Sequence, residues 1–397
     1  MYNTMYICYK NNKINLFKLE IINNKKINLG DMIMGKLGIS IYQEKSTEEE
    51  ILRYIDKATE NGFSRIFSCL LSVDESREEI VKKFKKTNEY AKSKGFEIIV
   101  DVSPAVFDKL GISYDNLSFF KEIGADGVRL DEGFGGFQEA SMTFNPEGLK
   151  IEINMSNYTH YIDTIMDYMP NKEKLIACHN FYPHNYSGLN FDHFMRCTEK
   201  FNKLGLKTAA FITSQNENTF GPWPVTDGLP TLEMHRNLPV DVQAKHLIAL
   251  DNINDIIISN CYPTDEELEA IGSMRKDMVT FDIVLNENTP EIERKILFEE
   301  MHFHRGDYSD NFLRSTQSRV KYKGHYFALF NAPEIIRRGD VIIESSEYGH
   351  YAGELQIALR DMVNSGKTNV VGHIRDEEVF ILDYIKPWQR FCFKEAK

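Results

Sequence analysis

From Gly38 the chain repeats one pattern eight times: a short run rich in β-branched and apolar residues, then a charged stretch with helical spacing. The runs are GISIY (38–42), SRIFSCLL (64–71), EIIVDVS (97–103), GVRLDE (127–132), KIEINMS (150–156), LIACHNF (175–181), KTAAFIT (207–213) and NDIIISN (254–260). Strands separated by helices are joined by crossovers, and crossovers build parallel sheet. Eight such units closing on themselves make a TIM (β/α)8 barrel, which is the fold this rhythm predicts. The helical stretches carry their own punctuation. STEEEILRYIDKATENGF opens on a capping box at Ser46 and Glu49, sets Ile51, Leu52, Ile55 and Ala58 on one face, and stops at Gly62.

After about residue 275 the rhythm changes. MVTFDIVL, HYFALF, GDVIIES, GELQIAL, KTNVVGHI and EEVFILDYI follow one another with turn residues between them, which predicts a mostly antiparallel, closed or partly closed small β-barrel. The division is a TIM barrel over 34–274 and a β domain over 275–397. Residues 1–33, rich in Asn, Lys and Ile, lack strand alternation and an amphipathic face, and are set apart as an extension that is disordered or lies ahead of the true start at Met34.

Composition narrows the class. A hydrophobic share of 42% supports a folded core, and a net charge of -12 works against nonspecific binding to nucleic acid or anionic lipid. The six cysteines form no C-x-x-C pair, which fits reduced thiols and a cytoplasmic address. No apolar run approaches the roughly 18 to 20 residues that span a bilayer. A homo-oligomer is left open.

A TIM barrel carries its chemistry at the C-terminal ends of its strands. Those ends are polar here: Asp101, then Arg129 and Asp131, then Glu152 and Asn154, then His179, Asn180 and Tyr182. Strand alternation places Arg129 and Asp131 on one face, so Asp131 is either a structural partner of Arg129 or a site-facing carboxylate. His179 sits beside an amide and two aromatics, a set that suits a sugar, and reads equally as a satisfied core histidine. GPWPVTDGLPTLEMHR (221–236) lies in a connection longer than the usual roughly 2 to 6 residues, and puts Asp227, Glu233, His235 and Arg236 on a binding loop. In the β domain, HFHRGDYSDNFLRSTQSR (302–319) gathers Arg305, Arg314 and Arg319 among hydroxyls, a composition suited to an anion. H-E-x-x-H, G-x-G-x-x-G, the P-loop and G-x-S-x-G are all absent, and Asp131, Glu152, His179 and His235 lack recognisable metal-ligand spacing.

Taken in order, GVRLDEGF, HNFYPHNYSGL, GPWPVTDGLPTLEMHR, RGDYSDNFLRSTQSR and EYGHYAGELQIAL resemble the blocks of the bacterial 6-phospho-N-acetylmuramidases, over nearly the whole chain from Met34. The resemblance implies a TIM barrel followed by a cyclophilin-like β domain, and release of N-acetylmuramic acid 6-phosphate from a phosphorylated amino-sugar disaccharide of the cell wall in peptidoglycan recycling; with no motif calling for one, no cofactor and no metal are expected. The chain departs from the family's pattern at Glu132, where a tyrosine is common, and at Asp227, where a glutamate is usual. Glycoside hydrolysis ordinarily takes two carboxyl groups. Asp131 and Glu233 are the leading pair, with Asp227 as substitute; Arg129, Asn154, His179, Asn180, Tyr182, His235 and Arg236 are the substrate contacts, and Arg236, Arg305 and Arg319 the phosphate contacts. Two other readings stand beside it. One is a metal-dependent sugar-phosphate isomerase or epimerase with Glu152, Asp131 and His179 as ligands, and the other a noncatalytic surface binding protein.

Overall fold

All eight predicted runs become strands of one sheet. The computed structural model describes residues 35–70, 76–224, 227–307 and 309–396, and the extension over 1–33 lies outside them. Strands β1 (Leu37–Ile41), β2 (Arg65–Cys69), β3 (Glu97–Val102), β4 (Gly127–Leu130), β5 (Lys150–Asn154), β6 (Leu175–Cys178), β7 (Lys207–Ile212) and β8 (Asp255–Ile258) pair in sequence order, and β8 closes on β1. Every pairing is parallel, and a helix follows each strand, so the fold is a TIM barrel. The first barrel helix, Glu48–Glu60, is capped one residue later than its sequence suggests: Thr47 and Glu50, not Ser46 and Glu49, exchange the reciprocal bonds of the capping box. The run TEEE offers two overlapping registers, and the buried face of Ile51, Tyr54, Ile55 and Ala58 selects between them.

The barrel axis is polar in layers. At the bottom Glu97 accepts from Lys36 and Lys150. Above it the buried Arg65 bridges Glu152 and Asp255, and above that Arg129 bridges Asp101, Asp131 and Asn180. Between the charged groups, the rings of Phe67, Phe181 and Phe211 meet edge to face at 5.1 to 5.9 Å. Burying ions is costly unless each is paired, and the layering gives each guanidinium at least two oxygens.

The second domain is a seven-stranded mixed sheet in the order β10-β17-β9-β16-β13-β14-β11, built from β9 (Val279–Leu285), β10 (His302–Phe303), β11 (Phe312–Ser315), β13 (Asp340–Glu344), β14 (Leu355–Ala358), β16 (Thr368–Ile374) and β17 (Arg390–Glu395), beside a short pair of β12 (Ile335–Ile336) and β15 (Met362–Val363). The sheet curls until its edges almost meet, where His302 on β10 bonds the Ser315 hydroxyl on β11 at 3.0 Å. Most pairings are antiparallel, as the turn-rich sequence predicts, while β17 runs parallel to β9. Two predicted strands are otherwise. HYFALF is irregular, and EEVFILDYI is a 3-10 segment, Asp376–Tyr384. Its apolar residues recur at helical spacing: Ile381 and Ile385 enter the core of the β domain while Phe380 and Tyr384 turn toward His246 on the barrel.

The β domain seats on the barrel helix Val240–Leu250. Lys245, buried in that helix, donates to Asp282 at 2.8 Å and to Glu378, while Arg375 reaches Asp241 at 3.0 Å. Lys386 and Gln389 bond the carbonyls of Leu250 and Ala249 at the other end of the helix. Among the described residues no helix is long and apolar enough to cross a membrane.

Candidate active site

The C-terminal mouth of the barrel is built around Arg129. Strand register sets Arg129 level with Asp101 on β3 and Glu152 on β5, all three facing the lumen. One terminal nitrogen of its guanidinium donates to Asp101 Oδ1 at 2.6 Å and to Asp131 Oδ1 at 3.2 Å; the other donates to the Asn180 side-chain oxygen. Arg129 and Asp101 are buried, whereas the Asp131 side chain is 35% exposed at the rim. A cleft of 270 Å³ opens there, bordered by Asp131, Phe134, Asn154 and Tyr161. Asn154 donates to the Asp131 carbonyl, and Ser156 ties the next two strand ends together, taking a bond from the Asn180 amide at 2.8 Å. Arg129, Asp131, Asn154 and Asn180 are thus brought together, with half-buried Tyr182 two residues beyond Asn180.

Asp101, one of the polar strand ends, has no role assigned by the sequence. It stands level with Arg129, one inward position below Asp131, and burial pushes its acid up to about 7, with Arg129 opposing the rise and Asp131 adding to it. The signal in the sequence is the alternation Glu97, Ile99, Asp101, which turns a carboxylate inward next to Arg129 and Asp131.

His179 is placed away from the lumen. Its neighbours Cys178 and Asn180 take the inward positions, so the imidazole points to the helix Phe191–Lys203, stacks on Phe194 at 4.5 Å and bonds the Thr198 hydroxyl at 2.9 Å. Burial lowers its pKa to about 3, so it stays neutral. The same alternation that pairs Arg129 with Asp131 would have turned His179 outward. His235 is also buried: its Nε2 meets Nδ1 of His246 at 2.8 Å, under the junction with the β domain. Neither histidine has a surface for a sugar, because each is enclosed by packing.

Glu233 and Arg236 form a clamp. The Glu233 carboxylate accepts from the backbone amides of Tyr186 at 2.9 Å and Gly188 at 2.7 Å, and from Arg236 Nε and Nη2 at 2.8 and 2.7 Å. These bonds, Arg236's first, hold the Glu233 carboxyl below its usual range. Arg236 spends its remaining N–H groups on the carbonyls of Tyr182, Asp227 and Gly228. With all five donors engaged it has none to give a phosphate. Leu189 and Leu232 bridge as in a parallel ladder beside it, and Tyr182 N bonds the Pro230 carbonyl at 3.1 Å. The 221–236 segment is thereby stitched to the loop after β6, as the lip of the mouth, with Asp227 exposed on it.

Arg305, Arg314 and Arg319 each have an acidic partner within the β domain. Arg305 pairs with Asp307, while Arg314 and Arg319 both hold the buried Glu354 at 2.8 Å beneath the Tyr351 ring. Because the β domain meets the barrel along the flank of the Val240–Leu250 helix, the contacts of Arg305 and Arg319 are within their own domain. The trio Glu152, Asp131 and His179 is not assembled for a metal either, since Arg65 takes Glu152 and His179 faces outward. The one acidic trio close enough to hold an ion among the described residues, Asp241, Asp282 and Glu378, has the Lys245 ammonium at its centre.

Barrel and mouth together define a TIM-barrel protein with a carboxylate-bearing, amide-lined opening at the C-terminal ends of its strands. The family model for the N-terminal part of the 6-phospho-N-acetylmuramidases matches residues 37–273, and that for the C-terminal part matches 279–394; the chain belongs to this family. A crystal structure of an uncharacterized B. cereus protein is 46% identical with a TM-score of 0.84, over 91% of this chain and 100% of that one. A conserved Enterococcus faecalis protein with an unknown function is 25% identical with a TM-score of 0.67, over 91% of this chain and 96% of that one. No curated protein matches the chain.

Proposed function

We propose that this protein is a cytoplasmic glycosidase that hydrolyses the bond between N-acetylmuramic acid 6-phosphate and N-acetylglucosamine in the phosphorylated disaccharide of peptidoglycan recycling. The observation that carries this reading is Asp131: a carboxylate at the mouth of a closed barrel, held on one side by Arg129 and open to the cleft on the other. Glycoside hydrolysis proceeds through an oxocarbenium-like transition state, and a carboxylate beside the anomeric carbon stabilises the charge that develops there. Asn154, Asn180 and Tyr182 supply the amide and hydroxyl groups that orient a sugar and its N-acetyl arm. Family membership supports the choice of substrate.

Incubating the purified protein with phosphorylated and unphosphorylated muramyl disaccharides, followed by mass analysis, tests the reading. We expect cleavage of the phosphorylated compound, and a loss on the order of 10² to 10⁴-fold in Asp131→Asn with the fold preserved. Cleavage of neither disaccharide by the wild type overturns the assignment.

A further inference from the structure

We infer that Asp101 is the second carboxyl of the site, the group that delivers a proton to the departing glycosidic oxygen. The inference rests on the glycosidase reading above and adds to it a residue and a role.

Geometry comes first. Asp101 Oδ1 and Asp131 Oδ1 share a single nitrogen of Arg129 at 2.6 and 3.2 Å. Two oxygens on one donor can be no more than about 6 Å apart, a limit that admits the roughly 5 Å spacing of carboxyl pairs that flank a glycosidic bond and work by a covalent intermediate. Arg129 leaves the two acids unequal: Asp101 takes the shorter bond and is buried, whereas Asp131 stands at the rim.

In the barrel lumen Glu97 is held by Lys36 and Lys150 at the bottom, and above that pairing Arg65 and Arg129 share Glu152, Asp255, Asp101 and Asp131. Glu152 and Asp255 are held by Arg65, which leaves one guanidinium for the upper pair. Two carboxylates on one cation in a buried layer favour retention of a proton on the more enclosed of the two. The other groups facing Asp101 do not relieve it: Tyr42 is buried with its hydroxyl bonded to the Ser259 carbonyl, Cys69, in register on β2, is a buried thiol, and Cys178 from β6 is a buried thiol pushed up by burial. The Asp101 acid, raised to about 7, agrees with that accounting.

Asp131 attacks the anomeric carbon as the bond to the glycosidic oxygen breaks; its electron pair leaves with the oxygen, which takes the Asp101 proton and departs as the sugar hydroxyl. Asp101, now a carboxylate, removes a proton from water as that water attacks the anomeric carbon and releases Asp131. Both acids then stand as they began.

The test compares two substrates: the phosphorylated disaccharide, whose sugar leaving group needs a proton, and the 4-nitrophenyl glycoside of N-acetylmuramic acid 6-phosphate, whose phenolate leaves without one. Asp101→Asn keeps an oxygen for Arg129 and removes the acid. We expect the variant to lose on the order of 10² to 10⁴-fold in kcat/KM on the disaccharide and less than about tenfold in kcat/KM on the aryl glycoside, whose first step needs no acid, while kcat on the aryl glycoside also falls because water attack still needs the Asp101 base. In the wild type, where no substitution is involved, the alkaline limb of the kcat/KM profile should be present for the disaccharide and absent for the aryl compound. Equal losses of kcat/KM on both substrates, or an alkaline limb of kcat/KM common to both, overturns the role of Asp101 and leaves the glycosidase reading standing. Wild-type protein inert toward both compounds overturns that reading and this inference with it.

Discussion

Replacing Glu233 by Gln separates a structural carboxylate from a catalytic one. In the wild type this carboxylate takes four bonds, two from backbone amides of the loop after β6 and two from Arg236, which is itself buried. A glutamine keeps one acceptor oxygen and turns an NH2 toward donors, so about half the bonds are lost and the Arg236 charge loses its counterion. Breaking a buried pair from one side costs roughly 3 to 5 kcal/mol; Glu233's 27% exposure brings the expected cost to about 3 kcal/mol. For a cooperative unit of this size, with unfolding entropy near 2.1 cal/mol/K per residue, that corresponds to a fall in Tm of about 4 °C.

The pH dependence has a definite sign. Glu233's folded pKa is depressed, so its contribution is fully present above the unfolded value near 4.3 and is lost as pH falls through the lower folded value. The Tm gap between wild type and Glu233→Gln should therefore be full at pH 6 and narrow below about pH 4. Thermal melts across pH, run beside kcat and KM, provide the assay. We expect the variant to be less stable, with KM raised by the loosened lip and kcat within about tenfold of wild type. A Tm unchanged at pH 6 together with a kcat loss on the order of 10³-fold refutes this reasoning and returns Glu233 to the chemistry.

Three other outcomes follow from the same structure. In Gly188→Ala the added Cβ would meet the Glu233 carboxylate at 2.6 Å and its backbone nitrogen at 2.7 Å, so the clamp must open, at a cost of about 1 to 3 kcal/mol read in a denaturant midpoint. Lys245→Met strips the cation from buried Glu378 and from Asp282, and should lower stability by about 3 to 5 kcal/mol and speed protease cutting between the domains; unchanged melting and cutting would show that the junction is held otherwise. Dialysis against EDTA should leave disaccharide hydrolysis intact; a loss restored by a divalent cation would show that the hydrolysis uses a metal.

Legibility in the sequence followed the range of each interaction. The barrel strands were readable because local β propensity and helical periodicity agree in every unit, and Arg129 and Asp131 were readable as lumen-facing by alternation. EEVFILDYI was not, because a short run of apolar residues suits a strand and a helical turn alike, and docking against His246 and the β-domain core decides between them. Glu233, His235 and Arg236 had the composition of a binding loop, yet their partners lie far off in the chain, at Tyr182, Tyr186, Gly188 and His246.

The amino-acid order by itself determined the barrel and the inward set at each strand end, since both depend on spacings of a few residues. Tertiary structure alone decided which of the charged residues have anything left to offer a ligand. Arg236, Arg305 and Arg319 read alike as anion-binding arginines, but Arg236 and Arg319 are matched to acceptors brought to them by the closed fold, whereas Arg305 pairs locally with Asp307. Asp101 is the converse case: a strand acid with no motif around it, it becomes distinctive only where barrel closure sets it and Asp131 on the same guanidinium.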